Sequence, residues 1–152
     1  MTKILFICLG NICRSPMAEY VFKDMIEKRK IQNQFIINSA ATSSEEIGNG
    51  MHYGTRRKLD EVGIKYDKHI AKKMTAEDYK NYDYLIGMEE SNIRNILRIV
   101  KNDNENKIFR LLDFSNNSRD IADPWYTGNF DKTYDDILEG CKGLLDHILN
   151  NK

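Results

Sequence analysis

KILFICLGNICRSPMAE, residues 3–19, changes character twice within a short span. Its first part, KILFIC (3–8), is a run of apolar, β-favouring side chains that reads as a buried strand. Its last part opens with Ser15 and Pro16. Serine is a preferred N-cap and proline is tolerated in the first helical turn, so a helix is expected to start there. Ala18, Val21, Phe22, Met25 and Ile26 then recur at the spacing of one buried helical face. Strand, tight turn and helix in such quick succession open an α/β unit. They leave residues 8–15 at the carboxyl end of a strand, the edge of a parallel sheet where ligands bind.

The alternation continues outward from this stretch. QFIIN (34–38) reads as a second strand, and a helix over 53–62 is stopped by Gly63. DYLIGM (83–88) reads as a third strand, followed by a helix with Ile93, Ile96, Leu97 and Val100 on one face. KIFRLL (107–112) reads as the fourth strand, and a last helix over 131–149 carries a stripe of Tyr134, Ile137, Leu138, Cys141, Leu145, Ile148 and Leu149. Strands alternating with helices predict an α/β fold: a single doubly wound domain over 1–152, its four-stranded parallel sheet covered by helices on both faces. The longest irregular stretch, 113–130, contains DPWYTG, and a loop of that length in a small domain is often functional.

Charge and composition narrow the function. Lys and Arg together number 23, as do Asp and Glu, so the formal net charge is zero and no basic excess points to nucleic acid. The apolar run near the amino end covers only about six residues, too short for a membrane span, and no later run is longer. Three cysteines, an odd number, do not make a full disulfide framework. The expected location is therefore the reducing cytoplasm.

Within 8–15 each residue type has a chemical use. Cys8 ends the strand and faces the amino terminus of the next helix, whose unsatisfied N–H groups favour negative charge on the sulfur. The five residues Leu9, Gly10, Asn11, Ile12 and Cys13 suffice to curl backbone N–H groups around one tetrahedral dianion. Gly10 and Asn11 are types that tolerate left-handed dihedrals, which such a nest requires. Arg14 can hold two phosphate oxygens in a planar fork. Ser15 can cap the helix and offer its hydroxyl to the sulfur. The loop lacks the glycine-lysine-serine/threonine of a nucleotide-binding loop, and Cys8 and Cys13 lack CxxC spacing, so neither cofactor nor metal is expected. Displacing an alkoxide or phenoxide from phosphorus needs a proton donor. DPWYTG (123–128) supplies Asp123, extended ahead of Pro124, with Trp125 and Tyr126 as flat surfaces beside a substrate ring. Taken alone, these stretches also suit a plain strand-to-helix turn and a common Asp-Pro turn.

CLGNICRSPMAE at the amino end, SAATS at 39–43 and DPWYTG together resemble the low-molecular-weight protein tyrosine phosphatases over nearly the whole chain, from about residue 3 to 149. The resemblance implies that Cys8 is the nucleophile of a phosphocysteine intermediate. It makes Arg14 the phosphate clamp, and Asp123 the acid for the leaving tyrosine and then the base for water. It implies that Asn11, Ser39 and His69 hold the loop in shape, that Ser15 assists the sulfur, and that Cys13 can form a reversible disulfide with Cys8. Substrate contacts are expected from the loop residues, Glu45, Trp125 and Tyr126. Glu45 stands where many members place an aromatic wall. Isoleucine at position 12 resembles the tyrosine-specific members, whereas members acting on phosphoarginine tend to carry threonine there.

The implied partner is a phosphotyrosine-containing protein or peptide, handled by a monomer. The alternatives are a protein arginine phosphatase and a non-catalytic phosphate-binding or redox-sensing module. Elsewhere the plain readings hold. Cys141 belongs to the core, His52 and His147 to the surface, Glu89 and Glu90 to a first helical turn with support of Arg14 as the alternative, and Arg56, Arg57 and Lys58 to a solvated helix face.

Overall fold

The computed structural model describes residues 1–151. Its first strand, β1 (Thr2–Cys8), obeys the two-residue period of a pleated strand. Ile4, Phe6 and Cys8 join one apolar cluster, and Leu5 and Ile7 join another. The strand is therefore buried on both faces, as its continuous apolar run requires.

β2 (Phe35–Ala41) and β3 (Tyr84–Gly87) flank β1, and β4 (Ile108–Arg110) pairs with β3. All pairs are parallel, in the order β2-β1-β3-β4. From β1 the chain winds to one side through β2 and to the other through β3 and β4. The connections after β1 and β3 therefore diverge, and a crevice opens at the carboxyl ends of these strands. Residues after Cys8 line one bank and residues after Gly87 the other.

Helices cover both faces. α1 (Arg14–Lys28), α2 (Tyr53–Glu61) and α6 (Phe130–Asn150) contribute Phe22, Leu59 and Leu144 to the cluster around Ile4 and Phe6. α3 (Glu77–Asn81) and α4 (Glu90–Val100) bring Tyr79 and Ile96 to the cluster around Leu5 and Ile7. A short helix, α5 (Pro124–Thr127), stands at the crevice. No helix among the described residues is long and apolar enough to cross a membrane.

The expected single doubly wound α/β domain is the one observed, with differences in its elements. Ser15 is not the cap of α1. The helix begins at Arg14 after Cys13 with no side-chain cap, and the Ser15 hydroxyl is engaged by Asn11 and Cys8 instead. β2 extends beyond Asn38 to Ala41, because its pairing with β1 continues through Phe6–Ser39 to Cys8–Ala41. The fourth strand stops at Arg110, and Leu111 and Leu112 enter the core through a 3-10 turn (Leu111–Phe114) rather than by strand alternation. Leu97 is exposed while Ile96 is buried, so the α4 stripe is narrower than its spacing implied. α3 has too few apolar residues to announce itself, and α5 lies inside the stretch expected to be irregular.

Candidate active site

β1 ends at Cys8 and the chain turns back over the sulfur. The turn is made at Asn11, which adopts a left-handed conformation at φ 59°. Asparagine is one of the few residues beside glycine that accepts this. Asn11 is completely buried and uses all its polar groups. Its backbone N–H points at Cys8 Sγ at 3.3 Å. Its carbonyl meets Nε2 of His69 at 2.7 Å, and its Oδ1 accepts from the N–H of Lys72 at 3.2 Å. Its Nδ2 donates to Ser15 Oγ at 2.8 Å and to Ser39 Oγ at 3.0 Å.

Those two serines settle their own hydrogens by elimination. Ser39 Oγ, already accepting from Asn11, donates to Oε1 of buried Glu19 at 2.6 Å. Ser15 Oγ, also accepting from Asn11, has its hydrogen left for Cys8 Sγ at 3.0 Å. The sulfur thus receives a hydroxyl and a backbone N–H beside the amino terminus of α1, and all three stabilise negative charge on it.

Arg14 closes the loop and is only 2% exposed. Its Nη1 donates to the Ile121 carbonyl at 2.7 Å and pairs with Glu89 Oε2. Its Nη2 lies 3.3 Å from Asp123 Oδ2. Glu89 is the N-cap of α4, directly after β3, so the crevice between diverging strands is bridged by this ion pair. Asp123 is the N-cap of α5. Its Oδ1 accepts the Trp125 N–H at 3.0 Å, with Pro124 in the first helical position.

A pocket of about 150 Å³ follows from this arrangement, with Cys8, Arg14 and Asp123 among its lining residues and Ile12, Trp125 and Tyr126 as apolar lining. Leu9, Gly10, Cys13 and Glu45 also line it, whereas Asn11 and Ser15 are fully buried and support it from beneath. Ser39 and His69 are brought to Asn11. Cys8 and Cys13 are both free thiols. Burial, with the nearby Cys8 and Asp123, pushes the Cys13 thiol up to about 12, so it is uncharged at neutral pH. Among the described residues no group of three or more His, Cys, Asp or Glu could hold a metal ion.

Three contributors escaped the sequence reading, and a fourth, Glu89, entered it only as an alternative support for Arg14. Glu89 looks like an ordinary first-turn carboxylate, and only the crossover geometry brings it to Arg14. Glu19 lies inside the SPMAE motif, and its charge on an otherwise buried helical face was the available signal. Glu46 lines the pocket, and a side chain at Gly10 would approach it at 3.3 Å. His52, read as a surface residue, touches both sides of the site.

A family model described as "Low molecular weight phosphotyrosine protein phosphatase" matches residues 3–152. The chain is 39% identical to the low molecular weight protein-tyrosine-phosphatase YfkJ of Bacillus subtilis, across 100% of this chain and 99% of that protein. The crystal structure of YfkJ superposes with a TM-score of 0.96, covering 100% of this chain and 97% of that one. PtpA of Staphylococcus aureus, another protein of that description, is 39% identical over 99% of this chain and 96% of its own. A crystal structure described as a Drosophila arginine phosphatase is 28% identical with a TM-score of 0.87, covering 97% of this chain and 98% of that one.

Proposed function

The chain belongs to the low molecular weight phosphotyrosine protein phosphatase family and is a hydrolase of that family, and from this premise we propose that it hydrolyses phosphotyrosine in proteins through Cys8, Arg14 and Asp123. The assignment of roles rests on one arrangement: a sulfur held by Ser15 and Asn11, a buried guanidinium and a carboxylate on one small pocket.

The phosphoryl group sits in the loop with its oxygens on the backbone N–H groups and Arg14. Cys8 Sγ attacks phosphorus as the bond to the tyrosine oxygen breaks, and Asp123 gives its proton to that oxygen. Tyrosine leaves. Water then attacks the phosphocysteine and gives a proton to the Asp123 carboxylate. The sulfur departs as a thiolate, received by the Ser15 hydroxyl. Inorganic phosphate is released and the protein returns to its starting state. Trp125 and Tyr126, 57% and 80% exposed, offer ring faces to the substrate tyrosine, and Ile12 gives the apolar wall. Every group used comes from one chain, so the working unit in this proposal is a monomer.

Cys8→Ser is expected to abolish turnover while far-UV circular dichroism stays unchanged. Asp123→Ala is expected to cut turnover by about 10²–10⁴, the usual contribution of a general acid. Phosphotyrosine and phosphoarginine peptides are to be compared side by side with chelator present. Preference for phosphotyrosine supports the assignment, and preference for phosphoarginine keeps the Cys8 chemistry and overturns the substrate. Activity on neither makes the pocket a phosphate-binding or redox module.

A further inference from the structure

Asp123 must be held at one position over the pocket, yet in the α5 segment that it caps only Pro124 is buried. A groove of about 520 Å³ separates Thr127–Asn129, at the end of α5, from Arg57 and Lys58 of α2. What supports the near end of this segment is a ring. His52 meets Trp125 edge to face at 5.5 Å and 73°, and stacks on Phe130, the first residue of α6, at 5.3 Å and 18°. Phe130 can reach it only because position 54 is glycine: a Cβ there would lie 2.3 Å from the Phe130 ring. The main chain of His52 is anchored elsewhere, its N–H donating to the Ile12 carbonyl of the phosphate loop at 2.8 Å. His52 is also the N-cap of α2, where Nδ1 accepts the Gly54 N–H at 2.9 Å.

We propose that His52 is a positioning residue for the general acid. Its backbone is fixed to the loop that binds phosphate, and its ring, wedged between Trp125 and Phe130, sets where the α5 segment places Asp123. The role rests on the assignment of Asp123 as the acid. The ring performs it by packing, and the cap at Nδ1 serves α2.

Substitution separates the two. His52→Ala removes ring and cap, His52→Asn keeps a capping side chain without the ring, and His52→Phe keeps a ring without the cap. A well-placed acid matters for a phenol leaving group such as tyrosine and hardly at all for dinitrophenol, which departs without a proton. kcat/KM is therefore measured for a phosphotyrosine peptide and for dinitrophenyl phosphate. His52→Ala and His52→Asn should each lose on the order of 10-fold or more on phosphotyrosine, within the roughly 10²-fold that a misplaced catalytic group can cost. On dinitrophenyl phosphate they should stay close to the unsubstituted protein, and His52→Phe should stay close to it on both substrates. Trp125 is the single tryptophan, so its emission reports the packing directly. It should move to longer wavelength in the Ala and Asn variants and not in the Phe variant.

Asp123→Ala is the control. If it too is insensitive to the leaving group, the acid assignment falls and the role of His52 with it. If Asp123→Ala is steeply sensitive and His52→Ala is not, only the role of His52 is overturned. Rescue by Asn but not by Phe likewise overturns it, because the cap alone would then be what matters.

Discussion

Asn11 and Arg14 show how much one residue can carry when its neighbours are arranged for it. Asn11 takes the left-handed turn and engages Ser15, Ser39, His69 and Lys72, which hold the loop before any phosphate arrives. Arg14 is held by Glu89 on the far bank of the crevice and by the Ile121 carbonyl, so its fork is already oriented. Glu89→Gln keeps the shape and removes the charge. It should lower kcat/KM by about 10- to 100-fold, since a hydrogen bond to a charged group contributes roughly 1.5–3 kcal/mol and each 1.36 kcal/mol is tenfold in rate. Far-UV circular dichroism should not change. A Glu89→Gln protein with undiminished kcat/KM would mean that Arg14 is oriented without it.

At the level of elements, the segment between β4 and α6 decides the most and was the hardest to foresee. The 3-10 turn (Leu111–Phe114) lies tight against α6 because positions 140 and 143 of that helix are glycine. A Cβ at Gly140 would lie 2.5 Å from Leu111 Cγ, and one at Gly143 would lie 2.0 Å from the Phe114 carbonyl oxygen. The second obstacle is backbone and cannot rotate away. Gly143→Ala should therefore destabilise the protein by about 1–3 kcal/mol, the usual cost of overpacking, read as a lower midpoint in urea. Helix propensity alone argues the opposite sign, since alanine is the better helix former. An unchanged or higher midpoint would show that the turn gives way. A strand ended early by this packing is why KIFRLL was too long as a strand.

Over the whole molecule, β1 is the wall shared by the two apolar clusters, one under α1 and α6, the other under α4. Neither face can lose its helices without exposing the strand that supports the other. Unfolding is therefore expected to be one cooperative transition, with coincident midpoints from far-UV circular dichroism and near-UV tyrosine signals. Separate midpoints would mean that the two faces come apart independently.

The sequence by itself determined the alternation of strands and helices, because periodicity is local: each apolar stripe is legible within one element. It also placed Cys8, Asn11 and Arg14 at the end of β1, since a strand, a loop and a helix start within one short stretch leave them no other place. Asp123 and the aromatics beside it were legible as the proton donor and flat surfaces that this loop needs, but their contact with Arg14 was not. Only the tertiary structure brought together Arg14 and Glu89, separated by 75 positions, and placed the ring of His52 between Trp125 and Phe130. Such contacts depend on strand order and helix packing, which the whole core sets at once. No short stretch of sequence holds that information, and a glycine such as Gly54 acquires its meaning only when another element approaches it.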